Sequence, residues 1–268
     1  PRRAAPRRIV SLVPSVTETL SALGAGDKLV GVDDFSDWPL EVNRLPRVGG
    51  LLNPNLEQMI ALKPDLLLVS TFSRLIEPLT AAGVSVFAIR TGSYNDIFHN
   101  IDVLGRMLAG VSAAEALKAR ITGELKALDA RVPKREKKPT VYYEVDPAPY
   151  AAGPDSFIGV LIDRACGENI IPAALGSFPR INPELVVARD PEVIVVGMGD
   201  PALARKTLAA RPGWAGLRAI REGRVCSLSQ ADFALMNRPG PRVAQALERV
   251  LGCLYPAGTR AGGQPHGG

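Results

Sequence analysis

Histidine and cysteine are scarce in this chain of 268 residues. It has two histidines, His99 and His266, and three cysteines, too few for a typical transition-metal site built from His and Cys side chains. The chain also lacks the motifs G-x-G-x-x-G, G-x-x-x-x-G-K-[ST], G-x-S-x-G and C-x-x-C, which argues against dinucleotide enzymes, P-loop enzymes, serine hydrolases and dithiol redox proteins. We therefore expect no catalytic residue, no metal site and no resident cofactor.

Long apolar runs and basic stripes are missing as well. No run reaches the roughly 18 residues that a membrane-spanning helix needs, and no signal-peptide core precedes the first predicted strand. The net charge is +5, but Arg2, Arg3, Arg7 and Arg8 in the N-terminal tail supply four of these charges. Since the remainder is nearly neutral and no Lys/Arg stripe alternates with aromatic residues, we expect no nucleic-acid partner.

An internal repeat is the clearest feature that the sequence does contain. The segment "NLEQMIALKPDLLLV", which starts at Asn55, returns as "NPELVVARDPEVIVV", which starts at Asn182. In each copy the Asn can cap a helix, a Glu (Glu57 or Glu184) lies in the first turn, and a Pro ends the helix before an apolar strand. The repeat predicts two similar lobes.

Alternating strand and helix patterns occur on both sides of a long helical stretch. "RIVSLV", "KLVGVD" and "VSVFAI" predict strands before it, and "TVYYEV", "EVIVVGM" and "RVCSLS" predict strands after it. Between them, apolar residues at helical spacing predict one long helix with a break near Gly110. We expect an α/β fold with two similar lobes and mostly parallel sheets, joined by one long rigid helix. The predicted boundaries are an N-terminal lobe at 8–93, a helical connector at 94–133, a C-terminal lobe at 138–256, and flexible tails at 1–7 and 257–268.

Aromatic residues lie at predicted strand ends and loops in both lobes. Because ligands of α/β proteins bind at the loops that follow strands, we expect these side chains to line an interlobe cleft. They are Trp38, Phe72, Tyr150, Phe178 and Phe233. Trp214 instead precedes a predicted helix, and we interpret it as structural packing.

The spacing of the cysteines leaves their pairing open. Cys166 and Cys253 lie on apolar helical patterns, and Cys226 lies in a strand-like segment. A disulfide between Cys166 and Cys253 and three reduced core cysteines are both compatible with this pattern. The disulfide would imply an oxidising compartment.

Several segments together resemble the helical-backbone (class III) substrate-binding proteins of ABC importers, and most closely the vitamin B12-binding proteins. The resemblance covers about residues 8–255 and implies a periplasmic or otherwise extracytoplasmic carrier rather than an enzyme, with a membrane anchor before processing left open. Such a carrier captures a corrinoid between its two lobes and delivers it to an ABC permease dimer with its ATPase subunits. Because relatives bind haem or ferric siderophores, these ligands are the alternative. The segments are "RIVSLVPSVTETLSALG", "VGVDDFSDWP", "VGGLLNPNLEQMIALKPDLLLVS", "CGENI" and "NRPGPR".

The resemblance also implies a docking surface and a disulfide. Glu57 and Glu184 match surface carboxylates, one on each lobe, that dock onto arginines of the two permease subunits. Cobalamin-binding relatives pair cysteines at the positions of Cys166 and Cys253, so the resemblance favours that disulfide.

The resemblance implies a ligand-binding set. Trp38 and Tyr150 match aromatic residues that stack on the corrin, and Asp232 lies where an acid reaches the amide groups of the ligand. Arg238 is expected either to contact an anionic ligand group or to form an ion pair. Leu51 and Ser70 depart from the pattern, because cobalamin binders can present tryptophans there. The set is Trp38, Leu51, Leu52, Phe72, Tyr150, Phe178, Asp232, Phe233 and Arg238.

Overall fold

The computed structural model describes residues 5–50, 53–134 and 136–256. The chain divides into two units. The first unit comprises Pro1–Leu125 with Arg238–Val243, and the second comprises Lys126–Asn237 with Ala244–Gly268. The predicted ligand residues Leu51 and Leu52, and the predicted tails apart from residues 5–7, lie outside the described residues.

A four-stranded parallel sheet forms the centre of the first unit. Its strands and helices are β1 Ile9–Ser11, α1 Pro14–Ala22, β2 Leu29–Val32, α2 Leu56–Ala61, β3 Leu66–Ser70, α3 Ile76–Ala81, β4 Val86–Ile89 and α4 Tyr94–Leu104. The strand order is β2-β1-β3-β4, and Ile9 pairs with Leu29 on one side and with Leu66 on the other. Burial is continuous along β1 and the first four residues of β3, as expected for parallel strands covered on both faces.

The predicted long helix is interrupted at the predicted place. A π-helical stretch, Gly105–Ala109, follows α4, and the chain then turns at Gly110, whose φ of 98° suits glycine. Helix α5, Val111–Asp129, follows and begins in the first unit but ends in the second. No helix within the described ranges combines the length and apolar character needed to cross a bilayer.

The second unit contains a five-stranded sheet. Its elements are β5 Thr140–Asp146, β6 Tyr150–Ala151, α6 Phe157–Arg164, β7 Glu168–Asn169, α7 Pro183–Arg189, β8 Val193–Val196, α8 Pro201–Ala209, α9 Arg218–Arg221, β9 Val225–Ser227 and α10 Gln230–Met236, with α11 Val243–Leu254 following. The order is β6-β5-β8-β9, and β7 also pairs with β5. Strand β6 runs antiparallel to β5, and the other pairings are parallel. The predicted α/β fold with mostly parallel sheets is confirmed.

A buried ion pair lies in the core of the second unit, beside Trp214. Arg211 donates to both oxygens of Glu144, at 2.6 and 2.9 Å, and the Tyr142 hydroxyl donates to Glu144 at 3.1 Å. Trp214 is buried, packs edge-on against Tyr142, and has the Arg211 guanidinium over its ring at 4.7 Å. The interpretation of Trp214 as core packing is confirmed.

The disulfide differs from the one that the resemblance favours. Cys226 in β9 bonds to Cys253 in α11 across a Cα separation of 5.4 Å, and Cys166 is a free, half-buried thiol. The predicted Cys166–Cys253 pairing is therefore wrong. Cys166 does not continue a helix as its sequence pattern suggests, because it follows α6 in the left-handed region with φ of 54°. Cys226 in β9 instead takes the place beside Cys253, within the range of roughly 4.4–6.8 Å that a disulfide spans.

Candidate ligand-binding and docking residues

Trp38 lies in the loop that follows β2 in the first unit. Loops after parallel strands meet at the carboxyl edge of the sheet, where ligands bind. The Trp38 side chain is 42% exposed, and the Arg242 guanidinium lies over its ring, 4.8 Å from the centroid. One face of the indole is thus covered by a cation.

A buried carboxylate in α1 holds the arginines of this region. Glu18 is 3% exposed and accepts hydrogen bonds from Nε and Nη2 of Arg242 at 2.9 and 2.5 Å. Arg238 Nη1 lies 3.4 Å from Glu18 and donates to Asp37 at 2.5 Å, and its Nη2 donates to the Phe35 carbonyl at 2.8 Å. Arg238 was expected either to contact an anionic ligand group or to form an ion pair, and in this structure it forms ion pairs.

The charges around Asp37 shift its pKa. Burial acts to raise the pKa of this carboxyl, but the hydrogen bond and the charge of Arg238 outweigh burial, so the pKa of Asp37 lies below its ordinary value. Asp37 is therefore ionised at neutral pH and remains a partner for Arg238.

A second buried acid supports the same loop from within. Asp33 accepts hydrogen bonds from the Ser36 hydroxyl at 2.5 Å and from the Phe35 amide at 3.3 Å. Arg47 donates to the carbonyls of Asp33 and Ser36. Burial raises the pKa of Asp33, although these hydrogen bonds and nearby arginines act in the opposite direction. The backbone leading to Trp38 is thus held by several polar contacts that are wholly or partly buried.

Phe72 lies in the turn that follows β3. Its side chain is 78% exposed, and its amide donates to the Ser70 hydroxyl at 3.3 Å. Arg74, two residues further on, is also exposed. A large apolar side chain that is held at a strand end and open to solvent is available for a ligand or a partner.

The second unit brings Tyr150 and Phe178 onto neighbouring segments. The chain around residues 177–181 runs antiparallel to β6, where Tyr150 pairs with Arg180 and the Ala151 amide donates to the Pro179 carbonyl at 3.0 Å. Tyr150 is 41% exposed and Phe178 is 46% exposed. Arg180 supplies a cation beside them, with its Nε donating to the Ala148 carbonyl at 3.1 Å.

Phe233 and Asp232 lie side by side on α10, and both already have partners. The Phe233 ring is parallel to that of Tyr143, with centroids 6.0 Å apart, so it is held in place. Asp232 accepts from Arg249 at 2.6 Å and from the Ser229 hydroxyl at 2.9 Å. The Arg249 hydrogen bond holds the pKa of Asp232 below its ordinary value, which keeps this carboxylate ionised.

The two copies of the repeat place their acids alike, on α2 and α7. The Asn55 side chain accepts from the Gln58 amide, and the Asn182 side chain accepts from the Glu184 amide, each at 3.0 Å, so the predicted helix caps are confirmed. Glu57 and Glu184 lie in the first turns and are exposed. Neither carboxylate forms an ion pair with a described residue. Each unit therefore presents one accessible acid at an equivalent helix start.

Comparison with known proteins identifies the family. Residues 9–231 match the periplasmic binding protein family. This chain belongs to that family. It is a family of transport binding proteins, and the resemblance inferred from the sequence is confirmed.

Individual relatives can be aligned with nearly the whole of this chain. An uncharacterized ABC transporter substrate-binding lipoprotein of Bacillus subtilis, YvrC, is 31% identical over 94% of this chain and 81% of its own length. A vitamin B12-binding protein of Vibrio parahaemolyticus is 31% identical over 91% of this chain and 87% of its own. A periplasmic heme-binding protein of Pseudomonas aeruginosa, known by crystal structure, is 28% identical over 94% of both chains, with a TM-score of 0.81.

Sequence reasoning missed the pairing of Glu18 with Arg242. Both residues lie within segments that carry the family resemblance, "PSVTETLSALG" and "NRPGPR". However, they are 224 positions apart, and no periodicity or spacing in one chain relates positions that distant. The available signal was a Glu on the apolar pattern of α1, because buried acids are rare unless paired.

Proposed function

We propose that this chain is the extracytoplasmic substrate-binding protein of an ABC importer and that its ligand is a corrinoid. The carrying observation is a set of flat aromatic side chains that are exposed in both units, namely Trp38, Phe72 and Phe178 in loops or turns and Tyr150 at the start of strand β6. Exposed rings at such places stack on planar macrocycles. The identity of 31% to a protein named for vitamin B12 binding supports this ligand class.

The charged groups among the candidate residues of each unit also favour a corrinoid over an anionic ligand. Arg238 already pairs with Asp37 and Glu18, so a propionate or a siderophore carboxylate would compete with these acids. Asp232 is an ionised acceptor, and a carboxylate offers about four lone-pair sites, of which its two partners use two. The remaining sites suit the amide groups of a corrinoid.

Haem is the second candidate ligand. Tyr150 is 41% exposed, and a tyrosine phenolate is a known axial ligand of haem iron. The heme-binding protein of Pseudomonas aeruginosa has a similar fold and 28% identity. A ferric siderophore would instead depend on the exposed cations Arg74 and Arg180.

A binding titration distinguishes these ligands. We would titrate the purified protein with cyanocobalamin, cobinamide, haemin and a ferric siderophore and follow tryptophan fluorescence. We expect both corrinoids to bind at micromolar concentration or below, and Trp38→Ala to weaken binding about ten-fold through lost stacking. Leu203→Ala removes another exposed apolar side chain and should leave affinity unchanged. Tight binding of haemin or the siderophore without a corrinoid response would contradict the choice of ligand.

The partner proposed for the loaded protein is an ABC permease dimer with its ATPase subunits. Two equivalent acids, one on each unit, match a partner that presents the same cationic surface twice. We expect Glu57→Arg with Glu184→Arg to abolish transport in vesicles that contain the transporter, because attraction becomes repulsion. Ligand affinity should not change.

The matched control for docking reverses two other exposed acids, Glu41 and Glu222. This double variant carries the same change in net charge, so it separates a local contact from general electrostatics. Transport should persist in the control. Transport that survives reversal at Glu57 and Glu184 would show that other carboxylates dock.

A further inference from the structure

Arg242 makes two oriented contacts with the same guanidinium group. Its Nε and Nη2 donate to the two oxygens of Glu18 at 2.9 and 2.5 Å, and its Cζ lies 4.8 Å from the centroid of the Trp38 ring. A bidentate pair with a carboxylate fixes the plane of a guanidinium group as well as its position. The plane of Arg242 in turn sets where the indole can lie.

The surroundings leave this arrangement little freedom. The Glu18 side chain is 2% exposed and that of Arg242 is 18% exposed, so water competes weakly for their hydrogen bonds. Arg238 meanwhile holds the loop just before Trp38, through the Asp37 carboxylate and the Phe35 carbonyl. The loop is thus fixed by one arginine and the indole by the other.

We propose that Arg242 is a positioning residue that presents one face of Trp38 to the ligand, and that Glu18 fixes the orientation of Arg242 through their two hydrogen bonds. The role toward a ligand rests on the proposed function. Arg242 covers one face of the indole, so the ligand stacks on the opposite face. Lysine cannot replace Arg242, because an ammonium group has neither a plane to stack nor a fork to bind both oxygens.

Tryptophan fluorescence tests the contact without any ligand. The chain has two tryptophans, so Trp214→Phe leaves Trp38 as the sole reporter. In this background we would compare Arg242→Lys and Glu18→Gln with Arg120→Lys, which alters an exposed pair with Glu124. We expect the first two variants to shift Trp38 emission to the red and to raise its acrylamide quenching about two-fold as the cation leaves the ring. The control should match its parent.

Ligand affinity then tests the positioning role. We expect Arg242→Lys to bind cyanocobalamin about ten-fold more weakly, with unchanged circular dichroism. If the single variants fail to fold, Glu18→Gln with Arg242→Gln removes both buried charges together and should show the same changes in Trp38.

The outcomes separate this inference from the proposed function. Unchanged Trp38 emission and quenching in folded Arg242→Lys would overturn the inference whatever the ligand is. If Trp38 fluorescence changed in Arg242→Lys but the affinity for cyanocobalamin did not, Arg242 would contact Trp38 without positioning it for the ligand. That outcome would also overturn the proposed role. If the parent bound none of the corrinoids, the proposed ligand would fail, while the fluorescence comparison would still decide whether Arg242 holds Trp38.

Discussion

Replacing Arg211 by methionine should strongly destabilise the second unit. The Glu144 side chain is 2% exposed and that of Arg211 is 21% exposed, and the two form a bidentate pair at 2.6 and 2.9 Å. After the substitution, Glu144 would keep the Tyr142 hydroxyl as a partner but would have lost its compensating charge.

The expected magnitude follows from this burial. Removing one partner of a buried ion pair costs about 3–5 kcal/mol, because the other charge remains buried and uncompensated. Arg211 is partly exposed, so water can enter the vacated space and relieve some of that cost. We therefore expect a loss of about 3 kcal/mol in the free energy of unfolding.

The assay is urea unfolding followed by the fluorescence of Trp214, in a Trp38→Phe background. Trp214 lies under the Arg211 guanidinium in the second unit, so its signal reports that unit. Glu144→Gln with Arg211→Met is the matched control, because it removes both charges at once. The double variant should lose at least about 2 kcal/mol less in the free energy of unfolding than Arg211→Met alone.

Two results would refute this reasoning. A loss below about 1 kcal/mol for Arg211→Met would mean that the pair behaves like a surface salt bridge. Equal losses in the free energy of unfolding for the single and double variants would mean that the destabilisation comes from lost packing of Arg211 on Trp214. The uncompensated charge of Glu144 would then not be its cause.

Three further predictions concern the second unit. Cys226→Ser should lower the free energy of unfolding, measured by urea unfolding, by about 3.5 kcal/mol, as expected for a loop of 27 residues. Cys166→Ser should leave the free energy of unfolding unchanged in the same assay. Gly197→Ala should cost about 1–3 kcal/mol in the same assay, because its Cβ would lie 2.4 Å from the Phe233 ring. The pKa of Asp232 lies below its ordinary 3.8, so its ion pair stabilises the fold above that pH and stops doing so as the pH falls through the lowered pKa.

Controls and contrary outcomes for these three are direct. Peptide mapping of the oxidised protein should recover Cys226 linked to Cys253, and recovery of Cys166 in that linkage would contradict the structure. Gly252→Ala serves as the control for Gly197, because a Cβ there meets no atom of another segment within 4 Å. For Asp232, the stability difference between Asp232→Asn and the parent should shrink below pH 3.8, and a difference that grows there would reverse the sign of the argument.

Much of the fold was predictable because its signals are local. The helix caps at Asn55 and Asn182 bond to amides two or three residues away, and the break at Gly110 reflects a φ that only glycine adopts easily. The buried strands are short apolar runs bounded by turn residues. Strands β6 and β7 have two residues each, too few to show periodicity, and both form by pairing with β5.

The candidate ligand-binding residues were predictable in part. Trp38, Tyr150 and Phe178 were expected at strand ends and loops, and each is substantially exposed, although Tyr150 lies within strand β6. Asp232 was expected to reach the ligand, and an ion pair was one of the two roles expected for Arg238; each is paired with an ion of opposite sign. Residue type indicates what a side chain can bind, whereas its neighbours decide whether that capacity is already used.

The sequence by itself determined the two-lobed α/β plan, the repeated helix starts with their acids, and the family. The first two depend on hydrogen bonds and apolar periodicity among residues that are close along the chain, and the family was recognised from the resemblance of several segments to it. Tertiary structure decided that Cys253 bonds to Cys226 rather than Cys166, and that Glu18 meets Arg242 under Trp38. Both pairs join residues that are far apart in sequence. Such residues come into contact only when distant segments of the chain pack together in the folded unit.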